Sequence, residues 1–431
     1  MKVLYDISWL GLTNGSPTGQ TGLGRVIEAL ACRLARSNEC DLTLCAGDSF
    51  AAVAGGVAFL ESHEELKQVP FAYPKLDAAF HTPAHKVLTR IDARPRQSLA
   101  SRAVRRVVRD ASHWSERRRS SLRRSIPPGT QIYHSPFLAI PNDVRGQPAI
   151  RSFLTVYDLI PLLFPQLAPS GAPELLRSTL ASLKQNDFIF CISQATKDDL
   201  CNRSSWLNPE QIFVTHLAAS AHFRPVHDRQ QTAEVRKKYG IPDEPYILTL
   251  SAVEPRKGME HAIRCFRRLA LEVKDTQLNL VLAGPKGWKY EGIVKEATRS
   301  TEIARRVIMT GRIDDDDLPA LYSGAVVFVF PSLYEGFGLP VLEAMQCGTP
   351  VVASNTSSLP EVVGDAGVLI PPHDVDALCQ AVLAIYQSTA RRAELSARAR
   401  ARAAEFSWEK CARQTIGAYR TAWEEGADSA R

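Results

Sequence analysis

The chain has 431 residues, 45% hydrophobic and 23% charged, which excludes a disordered, collagen-like or disulfide-framework protein. That length predicts two or three domains, with enough surface to bury a core without staples. Net charge is +6, but Lys86 to Arg124 carries 13 Lys/Arg against Asp92, Asp110 and Glu116, a local +10. The basic character therefore belongs to one segment, and it points to a local anionic partner such as a membrane surface or lipid phosphate.

In chain order, MKVLYDISWLGL reads as a first strand, not a signal peptide, because Asp6 interrupts its apolar run. Strand-like runs follow the β-rich composition at Val3–Ile7, Leu42–Cys45, Gln131–His134, Phe153–Tyr157 and Phe188–Ile192. After the first come Gly19, Gly22 and Gly24, then Val26, Ile27, Leu30 and Leu34 on one helical face. Strand, glycine loop and helix in that order begin a doubly wound α/β domain. The stretch 51–124 fits no such pattern. Its later part places Val104, Val107, Val108, Ala111 and Trp114 at helical spacing among Arg102, Arg105, Arg106 and Arg109. Such a helix either lies in a membrane interface or packs its stripe on its own domain.

The second half repeats the pattern, with strands expected at Tyr246–Leu250, Leu278–Ala283, Val307–Met309, Val326–Phe330 and Pro350–Ala353. The helices between them include Gly258–Leu271 and Asp315–Tyr322. The polar stretch Phe223–Asp243, with Pro225, Gly240 and Pro242, marks the boundary. The expected domains are thus 1–225 and 226–407, with a last helix over about 408–425 capped by Ser407. Nine cysteines without a C-x-x-C pair suit buried thiols in a reducing cytoplasm. No apolar run approaches the roughly 18 residues of a membrane span.

Chemistry concentrates in Pro331-Ser332-Leu333-Tyr334-Glu335-Gly336-Phe337-Gly338-Leu339-Pro340-Val341-Leu342-Glu343. It follows a run apolar enough to be a buried parallel strand, and a loop at that strand end is where open α/β sheets bind ligands. Gly336 and Gly338 permit the turn, Pro340 suits a helix start, and free amides there attract a phosphate. Glu335 and Glu343 bracket the anion site. Carboxylates beside a phosphate make sense where they bind hydroxyl pairs, so a sugar–phosphate ligand is expected. The run Asp314–Asp317 does not read as a metal site, because consecutive residues at a helix start point in different directions.

The spacing of Glu335 and Glu343 resembles the E-x7-E signature of retaining glycosyltransferases with the GT-B fold. Ser251–Gly258, Asn355–Val362 and Asp365-Ala366-Gly367 are similar to the same family, as are Thr21-Gly22-Leu23-Gly24-Arg25, His134-Ser135-Pro136 and Asp158-Leu159-Ile160-Pro161. The resemblance is to glycosyltransferase family 4, nearest its mannosyltransferase branch acting on bacterial surface polysaccharides. It covers the chain except roughly 50–125.

That resemblance implies two facing Rossmann-like domains, with the last helix crossing back to the first. It implies that Glu343 binds the ribose and Glu335 the donor-sugar hydroxyls. The backbone of Gly336, Phe337, Gly338 and Leu339 would meet the sugar and pyrophosphate. Lys257 would neutralise the diphosphate, and Gly22 and Gly24 would let the first helix approach it. Ser251 stands where many relatives carry an arginine, which leaves Arg256 to supply the second positive charge. Tyr157 stands where relatives carry a histidine before Asp158. With Tyr157 and Asp158 in the cleft, His134 becomes a candidate substitute. No metal or other cofactor is implied. The expected partners are a nucleotide sugar, GDP-mannose by branch resemblance with a UDP-sugar as the alternative, and a glycan or lipid-linked acceptor. Location is expected to be cytoplasmic, with peripheral inner-membrane contact through 86–124. Two rivals remain: an epimerase on the same scaffold, and a nucleic-acid-binding protein using 86–124. The second is disfavoured by the scarcity of aromatics among the arginines.

Overall fold

Two runs of alternating strands and helices form two separate parallel sheets in the computed structural model, which describes residues 1–14, 22–47, 49–73, 122, 125–273, 277–299 and 301–428. The basic stretch 86–124, with its helical stripe, lies outside the described residues except for Leu122.

The first sheet contains β1 (Lys2–Asp6), β2 (Asp41–Cys45), β3 (Phe71–Ala72), β4 (Ile132–Ser135), β5 (Arg151–Val156), β6 (Phe188–Cys191) and β7 (Ile212–Val214). Their order is β3-β2-β1-β4-β5-β6-β7. The second contains β8 (Tyr246–Leu250), β9 (Asn279–Ala283), β10 (Val307–Gly311), β11 (Val327–Phe330), β12 (Val351–Ser354) and β13 (Val368–Ile370), ordered β10-β9-β8-β11-β12-β13. All pairings are parallel, with Tyr5 beside Leu44 and His134 in the first sheet, and Leu248 beside Val281 and Phe328 in the second. Each sheet reverses its strand order once, at β1/β4 and at β8/β11. Such reversals open a crevice at the carboxyl ends of the strands.

Every expected strand is present within two residues at either end. The short strands β3, β7 and β13 were not foreseen. With two or three residues each, they carry too little periodicity to register. The polar stretch expected as a boundary contains a helix, Arg229–Lys238, started by Asp228 accepting from the Gln230 and Gln231 amides.

The last helix, Trp408–Asp428, packs on the Gly22–Arg36 helix of the first sheet. Ser407 Oγ caps it by accepting from Lys410 N at 3.1 Å, and Arg33 Nε meets Glu409 Oε1 at 2.8 Å. Tyr419 enters the core between the rings of Phe153 and Phe190. The C-terminus therefore ties the two halves together as the crossing helix of a GT-B arrangement.

Candidate active site

Loops from both sheets line a cleft of about 610 Å³. From the second sheet come Ser251 to Lys257 after β8 and Glu335 to Glu343 after β11, the two strands at its reversal. From the first come Gly22, Leu23, Arg25, Phe137, Tyr157 and Asp158. Motifs more than 300 residues apart in sequence thus face one another.

The loop after β8 is fixed by a glycine. Gly258 has φ +66°, and a Cβ there would lie 2.0 Å from the carbonyl oxygen of Pro331, so no other residue permits this approach. The carbonyl of Arg256 accepts from Leu333 N at 2.8 Å, and Ser332 Oγ lies 3.2 Å from it. These contacts bring the two loops of the second sheet into register.

The result is a compact charge cluster. Lys257 Nζ donates to Glu335 Oε1 at 2.6 Å, and Arg256 Nη1 lies 3.1 Å from Glu335 Oε2. Ser332 Oγ also donates to Glu335 Oε1, at 2.6 Å. Arg256 is anchored further by Glu254 Oε1 at 2.8 Å and the Tyr334 carbonyl at 2.7 Å. Burial would push the Glu335 carboxyl up, but Lys257 and Arg256 outweigh it and hold the group at about 2. Burial, with Arg256 adding to it, lowers Lys257 from its ordinary value against the pull of Glu335. Arg256 thus lines the cleft beside Lys257. Ser251 lines the same wall without charge.

Beyond Glu335 the chain turns through Gly338, at φ +111°, into the helix Leu339–Gln346. The amides of Gly336, Phe337, Gly338 and Leu339 have no acceptor among the described residues. Unpaired amides at a helix start, with Lys257 and Arg256 close by, are groups of the kind that attract an anion. Glu343, one turn further, is buried, and burial raises its carboxyl above the usual range. Tyr322 Oη donates to its Oε2 at 3.0 Å. Its Oε1 lies 3.8 Å from Arg25 Nη1, a residue of the opposite domain, and Arg25 also reaches Asp315 Oδ2 at 3.7 Å.

Two expected residues are placed elsewhere. His134 lies in the core, not in the cleft: it is fully buried, with Nδ1 2.6 Å from Tyr419 Oη and Nε2 2.7 Å from Thr155 Oγ1. Burial lowers it to about 3, so it is neutral and cannot replace a cleft histidine. Gly24 is buried in the first turn of the Gly22–Arg36 helix, because that helix begins at Gly22; only Gly22 of the pair lines the cleft. Tyr157 and Asp158 do line it. Burial pushes the Tyr157 phenol above its ordinary value, so it is a hydrogen-bond donor at neutral pH and not a base. Asp158 Oδ1 accepts from Ile160 N at 2.9 Å.

Sequence reasoning assigned no role to Arg25, Tyr322, Ser332, Tyr334 or Glu361. Glu361, from the second sheet's side, accepts from the amides of Gln194 and Ala195 at 2.7 and 2.8 Å, and His216 Nε2 lies 3.2 Å away. Those amides start the Gln194–Arg203 helix of the first domain. Tyr334 Oη donates to Asp199 Oδ2, on the same helix, at 2.6 Å. These contacts clamp the cleft along one edge. Glu361→Ala is expected to increase the radius of gyration in X-ray scattering and to raise the KM for donor several-fold, because closure must then proceed without the clamp. Scattering identical to wild type would remove this role.

Among the described residues, no group of three or more His, Cys, Asp or Glu side chains gathers as a metal site. In the Asp314–Asp317 run, Asp314 and Asp317 both pair with Lys238, while Asp315 turns to Arg25.

Two facing Rossmann-like domains with a cleft between the carboxyl ends of their strands define the GT-B architecture. Residues 231–402 match the family described as glycosyl transferases group 1. The chain is 35% identical over 290 residues to O-antigen chain mannosyltransferase B of Escherichia coli, a match spanning 67% of this chain and 74% of that protein. It is 36% identical over 164 residues to a GDP-mannose-dependent α-(1-6)-phosphatidylinositol monomannoside mannosyltransferase of Mycolicibacterium smegmatis, over 36% of this chain and 42% of that one. Sucrose-phosphate synthase of Thermosynechococcus elongatus shares the fold, with TM-score 0.65 at 21% identity over 99% of this chain and 100% of that one. The chain belongs to the group 1 glycosyltransferases, and it is a hexosyltransferase with bacterial mannosyltransferases among its relatives.

Proposed function

We propose that the chain transfers mannose from GDP-mannose, with retention at the anomeric carbon, to a lipid-linked or polysaccharide acceptor in bacterial surface glycan synthesis. The observation that carries this reading is the Glu335 carboxylate, kept ionised between Lys257 and Arg256 and followed by four free amides. A diphosphate fits the cations and amides, and the sugar hydroxyls fit the carboxylate. The names of the relatives support mannose, and one of them supports GDP.

In the proposed reaction, the acceptor hydroxyl oxygen bonds to the anomeric carbon on the face that the diphosphate leaves. The carbon–oxygen bond to the diphosphate breaks, and the hydroxyl proton passes to the departing phosphate oxygen. Lys257, Arg256 and the amides stabilise the charge that develops there. No metal is needed in this scheme, because those groups supply the positive potential. Closure of the two domains excludes water and limits donor hydrolysis.

Proton NMR of the product tests the reading. An α-linked mannoside, formed from the α-linked donor in the presence of EDTA, is expected. A β-linked product would overturn retention, and loss of turnover on chelation would overturn metal independence. Membrane contact through 86–124 is part of the same proposal and rests on that segment's local charge. Among the described residues, no helix is long and apolar enough to cross a membrane.

A further inference from the structure

The first sheet places three aromatic rings at the carboxyl ends of three neighbouring strands. Trp9 lies in the Ser8–Thr13 helix after β1, Phe137 follows β4, and Tyr157 follows β5. The junction of β1 and β4 is the strand-order reversal, the position where such sheets bind ligands. The rings meet edge to face in a row. Centroids of Trp9 and Phe137 are 4.6 Å apart at 64°, and those of Phe137 and Tyr157 are 6.1 Å apart at 62°. All three are only partly buried, and Phe137 and Tyr157 line the cleft.

The Tyr157 backbone packs against the donor loop: a Cβ on Gly336 would lie 2.4 Å from the Tyr157 carbonyl oxygen. Phe137 lines the cleft with Tyr157, and Trp9, outside that lining, reaches the row through its contact with Phe137. The Trp9 end of the row is held firmly. The buried Asp6 accepts from Ser8 N at 2.6 Å, from Ser8 Oγ, and from Tyr133 Oη of β4 at 2.7 Å. Ser8 Oγ in turn accepts from Gly47 N at 2.5 Å. This network fixes the Trp9 helix to β1 and β4 together.

We propose that Trp9 and Phe137 are specificity-determining residues for the acceptor, forming with Tyr157 a platform for two successive sugar rings. Phe137 and Tyr157 support the ring that receives the hexose, and Trp9 supports the ring before it. The chemistry is that of a carbohydrate site. A pyranose presents polarised C–H bonds, which the negative face of an aromatic ring attracts, and hydroxyls, which the neighbouring Asp158 carboxylate accepts. The inference rests on the transfer reaction proposed above and adds the residues that read its acceptor.

Transfer from GDP-mannose to methyl α-mannopyranoside and to an α-linked methyl mannobioside tests it, using Trp9→Leu and Phe137→Leu. Leucine keeps an apolar side chain and removes the ring, and unchanged melting temperatures exclude misfolding. Wild type should prefer the disaccharide. Trp9→Leu should lose about 2- to 10-fold in kcat/KM on the disaccharide and approach the monosaccharide value. Phe137→Leu should raise the KM of both acceptors by a similar factor. Calorimetric affinity for GDP should stay unchanged in both variants. Acceptor KM values equal to wild type in both variants would overturn the platform. So would failure of either saccharide to accept mannose while GDP-mannose still binds. If GDP-mannose itself does not bind, the transfer reaction is wrong, and the platform is withdrawn with it.

Discussion

Lys257→Ala is expected to lower kcat by about 10²- to 10³-fold, the usual cost of removing one group that stabilises developing oxyanion charge. The Lys257 ammonium is buried at the cleft wall, 2.6 Å from Glu335 Oε1. Arg256 is tied to Glu254 and to the Tyr334 carbonyl. Lysine, a compact charge on a flexible stem, is therefore the cation free to follow the diphosphate as the glycosidic bond lengthens. Because that charge grows mainly in the transition state, donor affinity should fall much less than kcat. Single-turnover kinetics with a saturating donor measures the split. A kcat close to wild type would show that the lysine serves only the fold.

Glu335→Gln carries the second large effect. It leaves two buried cations without their shared anion, and breaking such a pair from one side costs about 3 kcal/mol or more. The sign of its pH dependence follows from the depressed carboxyl, at about 2 against an ordinary value of 4.5. A depressed carboxyl contributes stability above its unfolded value and loses it as pH falls towards the folded one. Wild type should therefore exceed Glu335→Gln by about 3 kcal/mol at pH 7, with the gap closing between pH 4.5 and 2. Urea unfolding at pH 7 and pH 3 reads this directly. A gap that stays constant with pH would mean that the cations do not hold the carboxylate ionised. The same variant frees Lys257 and Arg256 for phosphate, so its affinity for GDP should rise while turnover falls.

The donor side of the site was legible in sequence because its signals are local. Gly336, Gly338 and Pro340 specify a turn and a helix start, and seven residues separate two carboxylates on that frame. Strand ends could be read from apolar runs bounded by glycine and proline. Contacts between domains left no such trace. Arg25 meets Glu343, and Glu361 meets the Gln194 and Ala195 amides, only after both sheets have formed and the crossing helix has joined them. His134 misled for a related reason. β4 is covered on both faces, and all four of its residues are buried, so alternation cannot tell a cleft histidine from a core one. Tyr419, which gives His134 its core partner, lies at the far end of the chain.

The central claim is that the cleft between the two domains binds a nucleotide sugar, with Glu343 on its ribose. Calorimetry with GDP-mannose, UDP-glucose and ADP-glucose, without metal, on wild type and Glu343→Ala tests it most directly. The predicted result is saturable binding of GDP-mannose in preference to the others, lost in Glu343→Ala. Equal affinity for GDP-mannose in the two proteins, or binding of none of the three by wild type, would contradict the account.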